Sequence, residues 1–183
     1  MNSTWKDIAV FLDATEQGQR IGRHAAGLAQ RHKSHLVGVY GALREHLHPS
    51  ESYARGAAVT HVMERHRRAE EGLVLAAGRA FADLSDQFDV SSEFRVVWRE
   101  ASDEDAALRS LHCDLIVAGH PKPHDLPERW TAERLLLASG APVLMIPETW
   151  SDRPIGRNAV IAWNGSRAVR RAVNDALPFL ISA

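Results

Sequence analysis

The chain has 183 residues, enough for one ordinary domain and a surplus. Its 45% hydrophobic and 25% charged content is that of a soluble globular protein, and a net charge of -1 gives no electrostatic reason to expect nucleic acid or an anionic membrane as partner. One cysteine, Cys113, excludes an internal disulfide and a Cys-based zinc site. The opening residues MNSTWKD lack the basic-then-apolar pattern of a signal peptide, and no apolar run approaches the roughly 20 residues of a membrane span. The expected location is therefore cytoplasmic.

Asp7 to Asp13 reads as a short apolar strand that presents Asp13 at its carboxyl end. Thr15 is placed to cap the next helix, whose Ile21, Ala25, Leu28 and Ala29 share one face. His35 to Tyr40 reads as a second strand, and Gly38 within it points to close backbone approach. Gly41 to Gly56, with His46, His48, Pro49, Ser50 and Ser52, reads as a polar surface excursion. A long helix is predicted from about Ala57 to about Leu84, with Val59, Val62, Met63, Leu73, Ala77 and Phe81 as its buried stripe. The basic run Arg65–Arg68 lies among acids, and the i,i+4 pairs Glu64/Arg68 and Arg67/Glu71 make it a solvated helix face.

Phe94 to Trp98 reads as a third strand. Ser102, with Asp105 three residues on, opens a short helix over 103–111. Leu115 to Ala118 and Pro142 to Ile146 are continuous apolar runs, separated by a Pro-broken loop and a helix from Glu128 to Ser139 that Gly140 ends. Such runs read as buried parallel strands. The alternation of strand and helix predicts a doubly wound parallel α/β sheet with right-handed crossovers. Ligands of such sheets bind beyond the carboxyl ends of the strands, which is where the loop after Ala118 falls.

After Pro147 a polar, Pro- and Gly-containing stretch, 148–157, reads as a linker. The pattern then restarts. Ala159 to Ser166 copies the shape of Ile8 to Thr15, the helix predicted over 167–180 copies the first helix, and Ala176 aligns with Ala25. The expected division is one complete unit over 1–147 and the first strand and helix of a second, incomplete repeat over 158–183. A lone strand and helix cannot bury their own apolar faces. The segment is then either part of a longer tandem arrangement or docked on a neighbouring subunit.

The strand ending in Asp13 before a short turn, the long second helix, and the phrases Asp114-Leu115-Ile116-Val117-Ala118-Gly119 and Ala141-Pro142-Val143-Leu144-Met145-Ile146-Pro147 together resemble the universal stress protein family. The resemblance covers most of 6–147 and restarts at 158–180, as in tandem members. It implies a five-stranded, Rossmann-like α/β fold, association through the last strand (Val143, Leu144, Met145, Ile146) as a homodimer or a tandem pseudo-dimer, and a role in surviving stress. In some members it implies ATP or another adenine nucleotide such as AMP. The residues it assigns to a nucleotide here are Asp13, Val39, Gly119 and Lys122.

Nucleotide-binding members carry Gly, two residues, Gly, nine residues, then Gly followed by Ser or Thr. Here Gly119 holds the first position, Lys122 the second, and Ala132 and Glu133 the third and fourth. Glycines in such loops bring backbone N–H groups to phosphate oxygens. Pro121 and Pro123 have no amide hydrogen, and Glu133 sets a carboxylate where a triphosphate would lie. Asn164 replaces Asp13 in the second repeat. The expectation is a loop of this family with its phosphate site largely dismantled, and no bound cofactor.

Several residues have two readings. Asp13 is either a hydrogen-bond partner of an adenine amino group or a turn and cap residue. Gly119 is a ligand contact or turn punctuation. His120 and His124 are spaced i,i+4, but Pro121 and Pro123 prevent the helix that would align them, so no metal site is expected. His46, His48, His61 and His66 are read as solvated. Cys113 reads as a half-buried structural thiol, and Trp130 as a core or interface residue that could also fill a nucleotide's place. Neither GxxxxGK[ST], GxGxxG nor GxSxG occurs. Three functions follow in order: a non-catalytic stress-response interaction module, an ATP or AMP sensor with an altered site, and a weak nucleotide hydrolase.

Overall fold

The computed structural model describes residues 4–43, 57–99, 111–123, 126–127, 130–150, 153 and 155–183. Its elements are β1 (Asp7–Leu12), α1 (Glu16–His32), β2 (His35–Leu43), α2 (Ala57–Phe88), β3 (Ser92–Arg99), β4 (Leu115–His120), α3 (Ala132–Ser139), β5 (Val143–Pro147), α4 (Arg167–Asp175) and α5 (Leu177–Ser182). The five strands form one parallel sheet in the order β3-β2-β1-β4-β5. This is the expected α/β architecture. The cap at Ser102, the helix over 103–110, the excursion from residue 44 to 56, and His124 lie outside the described residues.

The central strands β1 and β4 are covered on both faces, which is why they are buried at successive positions, whereas the edge strand β3 mixes exposed and half-buried residues. Ile8, Val10, Leu12 and Val117 face α1, where Ile21, Ala25 and Leu28 pack on them. Ala9, Phe11, Val39, Ile116 and Ala118 face the other way, toward Trp130 and Leu135. Gly38 serves α2: a Cβ there would lie 2.8 Å from the Phe81 ring. The ion pairs Arg67–Glu71 and Arg68–Glu64 form on α2 at 3.6 and 3.8 Å, with exposed side chains.

Element ends move from the expected positions for local reasons. β2 continues to Leu43 because β3 pairs with it out to Arg99, so Gly41 is strand and not loop. α2 runs past Leu84 to Phe88. Asp89 ends it at φ 51, with the Val90 amide closing onto Ser85 O at 3.0 Å, an αL stop of the kind helices commonly use. α3 begins at Ala132, four residues after the expected Glu128. Thr131 is its N-cap, accepting from the Arg134 amide at 3.3 Å. Gly140 ends it at φ 69, as expected.

The C-terminal segment behaves differently from its predicted pattern. Residues 159–166 form no strand, with Val160 97% and Trp163 59% exposed. A strand exists only against a neighbour, and the described residues supply none there. The single predicted helix is two, because Pro178 has no N–H to continue the first. The turn nevertheless repeats in detail. Thr15 N donates to Asp13 Oδ1 at 3.0 Å and Gly18 N to Thr15 Oγ1 at 3.2 Å. Ser166 N donates to Asn164 Oδ1 at 3.0 Å and Val169 N to Ser166 Oγ at 3.2 Å. The segment docks through Phe179, edge-on to Trp5 at 4.6 Å, through Trp5 Nε1 donating to Asp175 O, and through Arg171 donating to Gly140 O.

Candidate functional site

The strand order reverses direction between β1 and β4, so the crevice beyond their carboxyl ends is the topological switch point where open α/β sheets take ligands. Asp13, Val39, Gly119 and Lys122 all come from this end. Register sets Val39 beside Phe11, and Val117, two residues before Gly119, beside Val10. They do not share a face, however. Val39 is buried with Phe11 on the α3 side. A side chain on Gly119 would point the other way, 2.5 Å from Ile21 Cδ1 of α1.

Asp13 is 4% exposed and turns toward the start of α1. Its Oδ1 accepts from the Thr15 amide at 3.0 Å and the Thr15 hydroxyl at 2.5 Å. A Cβ at Gly18 would collide with that oxygen, so glycine lets the helix start come close to the carboxylate. A carboxylate at a helix N-terminus is also favoured by the helix dipole. The same carboxylate lines a cleft of about 280 Å³ between α1 and α2, floored by Leu12, Phe81 and Leu84.

The loop after β4 closes over the crevice from the other side. Lys122 is half-buried, and its Nζ donates back to Leu126 O at 3.0 Å. Gln17 of α1 donates to Pro121 O at 3.0 Å, and the Trp130 amide to Pro127 O at 2.9 Å. Trp130 itself lies inside the core. Its ring is 1% exposed and meets Phe11 edge-to-face at 5.0 Å, in one buried cluster with Val39 and Ala118. Gly41 makes room for it: a Cβ there would lie 2.7 Å from Pro127 and 3.1 Å from the indole. Trp130 Nε1 is buried and has no acceptor among the described residues. The indole is thus core, one of the roles expected of it. The sequence signal that went unread is a glycine at the far end of an apolar strand, which leaves a notch for a ring.

The remaining candidates have ordinary structural work. His120 Nδ1 stands 3.5 Å from Glu133 Oε1, both side chains 59% exposed, a pair of little energetic weight. Glu133 sits in the first turn of α3, where its own backbone amide, the Thr131 hydroxyl and then His120 hold its carboxyl below the usual range. Burial, with Asp114 and Asp7 nearby, pushes the Cys113 thiol up to about 11, opposite to the shift a nucleophile needs. Among the described residues no three His, Cys, Asp or Glu side chains converge on a metal-sized site, and no helix is long and apolar enough to cross a membrane. In β5, Ile146 is buried, Val143 and Leu144 are half-buried against the chain's own core, and Met145 is exposed.

No family model matches the sequence, and no curated protein does. Solved structures do. The universal stress protein UspA from Lactobacillus plantarum is 20% identical with a TM-score of 0.55, over 79% of this chain and 99% of that one. A universal stress protein in complex with cAMP is 18% identical with a TM-score of 0.54, over 79% and 98%. A universal stress protein family protein from Arabidopsis thaliana with AMP bound is 12% identical with a TM-score of 0.52, over 80% and 97%. With the five-stranded parallel sheet and its order on the page, these likenesses give the chain the fold of the universal stress proteins.

Proposed function

We propose that the chain is a stress-response module of the universal stress protein type that works through protein contacts, performs no catalysis, and fills its own nucleotide place. The observation that carries this reading is Trp130, buried at the switch point in one cluster with Val39 and Ala118. Supporting it, Pro121 and Pro123 offer no N–H to a phosphate, and Lys122 donates inside its own loop. Association is through the outer edge of β5, whose backbone groups are unpaired on that side among the described residues. Val143, Leu144 and Ile146 support the strand from within, and Met145 faces a second copy or the matching strand of a tandem unit.

A second reading is an adenine nucleotide sensor. Two structures of this fold hold cAMP and AMP, and Asp13 lines a cleft at the end of β1. Calorimetric titration of ATP and AMP, with and without magnesium, separates the two. The module gives no binding heat that Asp13→Ala removes. Saturable AMP binding that Asp13→Ala abolishes establishes the sensor instead.

A further inference from the structure

The outer side of α1 carries arginines that join no carboxylate among the described residues. Arg23, His24 and Arg31 line a pocket of about 350 Å³, and Arg153, from beyond β5, closes its rim. Leu28, Phe88 and Ile155 form an apolar floor, and none of the described lining residues is acidic. Arg31 Nη1 donates to Ile155 O at 3.0 Å, which fixes its guanidinium at the rim. Among the described residues, Arg23, Arg31 and Arg153 join no carboxylate in an ion pair. One turn earlier, Arg20 Nε is buried without an acceptor among the described residues, so donors are in excess along this side. The C-terminal end of a helix dipole favours cations and accounts for Arg31 in the last turn. It does not account for Arg23, two turns before, or for Arg153 on another element.

We propose that this pocket binds a phosphorylated small molecule, with the phosphate between Arg23, Arg31 and Arg153 and the organic body on Phe88 and Leu28. Guanidinium forks match phosphate oxygens two at a time, and the apolar floor gives an aromatic or aliphatic body a place to lie. The site is on α1's outer side, away from Trp130, and does not depend on the function proposed above.

The test is calorimetric titration of the full chain with phenyl phosphate and with inorganic pyrophosphate. Both are expected to bind saturably at one site, more weakly as salt rises. Removing Arg31 and Arg153 together (R31A/R153A) is expected to lower affinity by about a hundredfold, about tenfold for each charge-assisted bond lost. Phe88→Leu is expected to weaken phenyl phosphate and spare pyrophosphate. Arg167→Ala, which changes an exposed arginine of α4 outside the pocket, is expected to leave both unchanged. Circular dichroism and melting establish that each variant folds, and Arg31→Lys, expected to bind at intermediate strength, serves if the double variant does not. No saturable binding of either probe by the native chain overturns the proposal. So does an equal loss on Arg167→Ala, which means diffuse charge attraction, or a Phe88→Leu effect shared by both probes.

Discussion

Trp130 is the residue whose replacement separates packing from hydrogen bonding at the switch point. Truncating a fully buried tryptophan to alanine ordinarily costs about 3–5 kcal/mol. Here the ring is 1% exposed and meets Phe11 at 5.0 Å, so the upper part of that range is the starting point. The indole N–H has no acceptor among the described residues, and burying such a donor costs about 1–3 kcal/mol that the variant recovers. The net expectation for Trp130→Ala is a loss of about 2–3 kcal/mol, a melting shift of about 4–12 °C for a chain of this size. Trp130→Phe keeps most of the contact with Phe11 and drops the orphaned donor, so its expected cost is under about 1.5 kcal/mol. Urea unfolding followed by far-ultraviolet circular dichroism measures both. Equal destabilisation by Phe and Ala refutes the reasoning, because it means the N–H has a partner that matters more than the ring. The same variants bear on function: if the indole occupies a ligand's place, Trp130→Gly opens a cavity that free indole binds and stabilises, while Trp130→Phe does not.

Other perturbations address the parts around it. Gly41→Ala brings a Cβ within 2.7 Å of Pro127, so it is expected to cost about 1–3 kcal/mol and to raise proteolysis of the loop after β4. Cys113 is expected to alkylate slowly at pH 8, with the rate rising through pH 9 to about 11. Its folded-state value is raised from 9.0, so the stability tied to the protonated thiol is present below pH 9 and fades as pH climbs from 9 to 11; a fast reaction at pH 8 contradicts the burial. Phe179→Ala removes the ring against Trp5 and is expected to cost the docked segment about 1–2 kcal/mol, seen as protease cleavage between 155 and 183 with the sheet's dichroism intact. Met145→Lys places a charge on the β5 edge and is expected to shift a sedimenting dimer to monomer; a native chain that is monomeric at every concentration removes the assembly proposed here.

The sheet was legible because the relevant signals are local. Five apolar runs separated by helical stretches, with Asp13, Gly119 and Gly140 at their ends, specify strand count and order of elements without long-range information. Thr15 and Gly140 act as the cap and stop their residue types predict, since a hydroxyl one residue before a helix and a glycine one residue after it answer to the same few backbone groups in any protein. The crevice was less legible because its filling is decided between segments far apart in sequence. Trp130 packs beside Gly41, 89 positions earlier, where a Cβ would lie 3.1 Å from the indole, and its amide closes onto Pro127 O. Nothing in the composition of either segment says that they meet.

The C-terminal segment, 158–183, shows the same division from the other direction. The turn at Asn164, Ser166 and Val169 reproduces the bonds of Asp13, Thr15 and Gly18 because those bonds span only a few residues, and a carboxamide oxygen accepts as a carboxylate does. The residues that precede it form no strand, because a ladder is a property of two segments and no described segment pairs with them. What a short stretch can encode alone, the cap and the turn, is present at 164–169. What needs a neighbour is absent, and Val160 and Trp163 stand in solvent where their counterparts Ala9 and Leu12 are buried. A chain extended to supply those neighbours is therefore expected to bury Val160 and Trp163, with the indole fluorescence of Trp163 shifting to the blue, and an unchanged emission there means the resemblance between the two turns carries no second sheet.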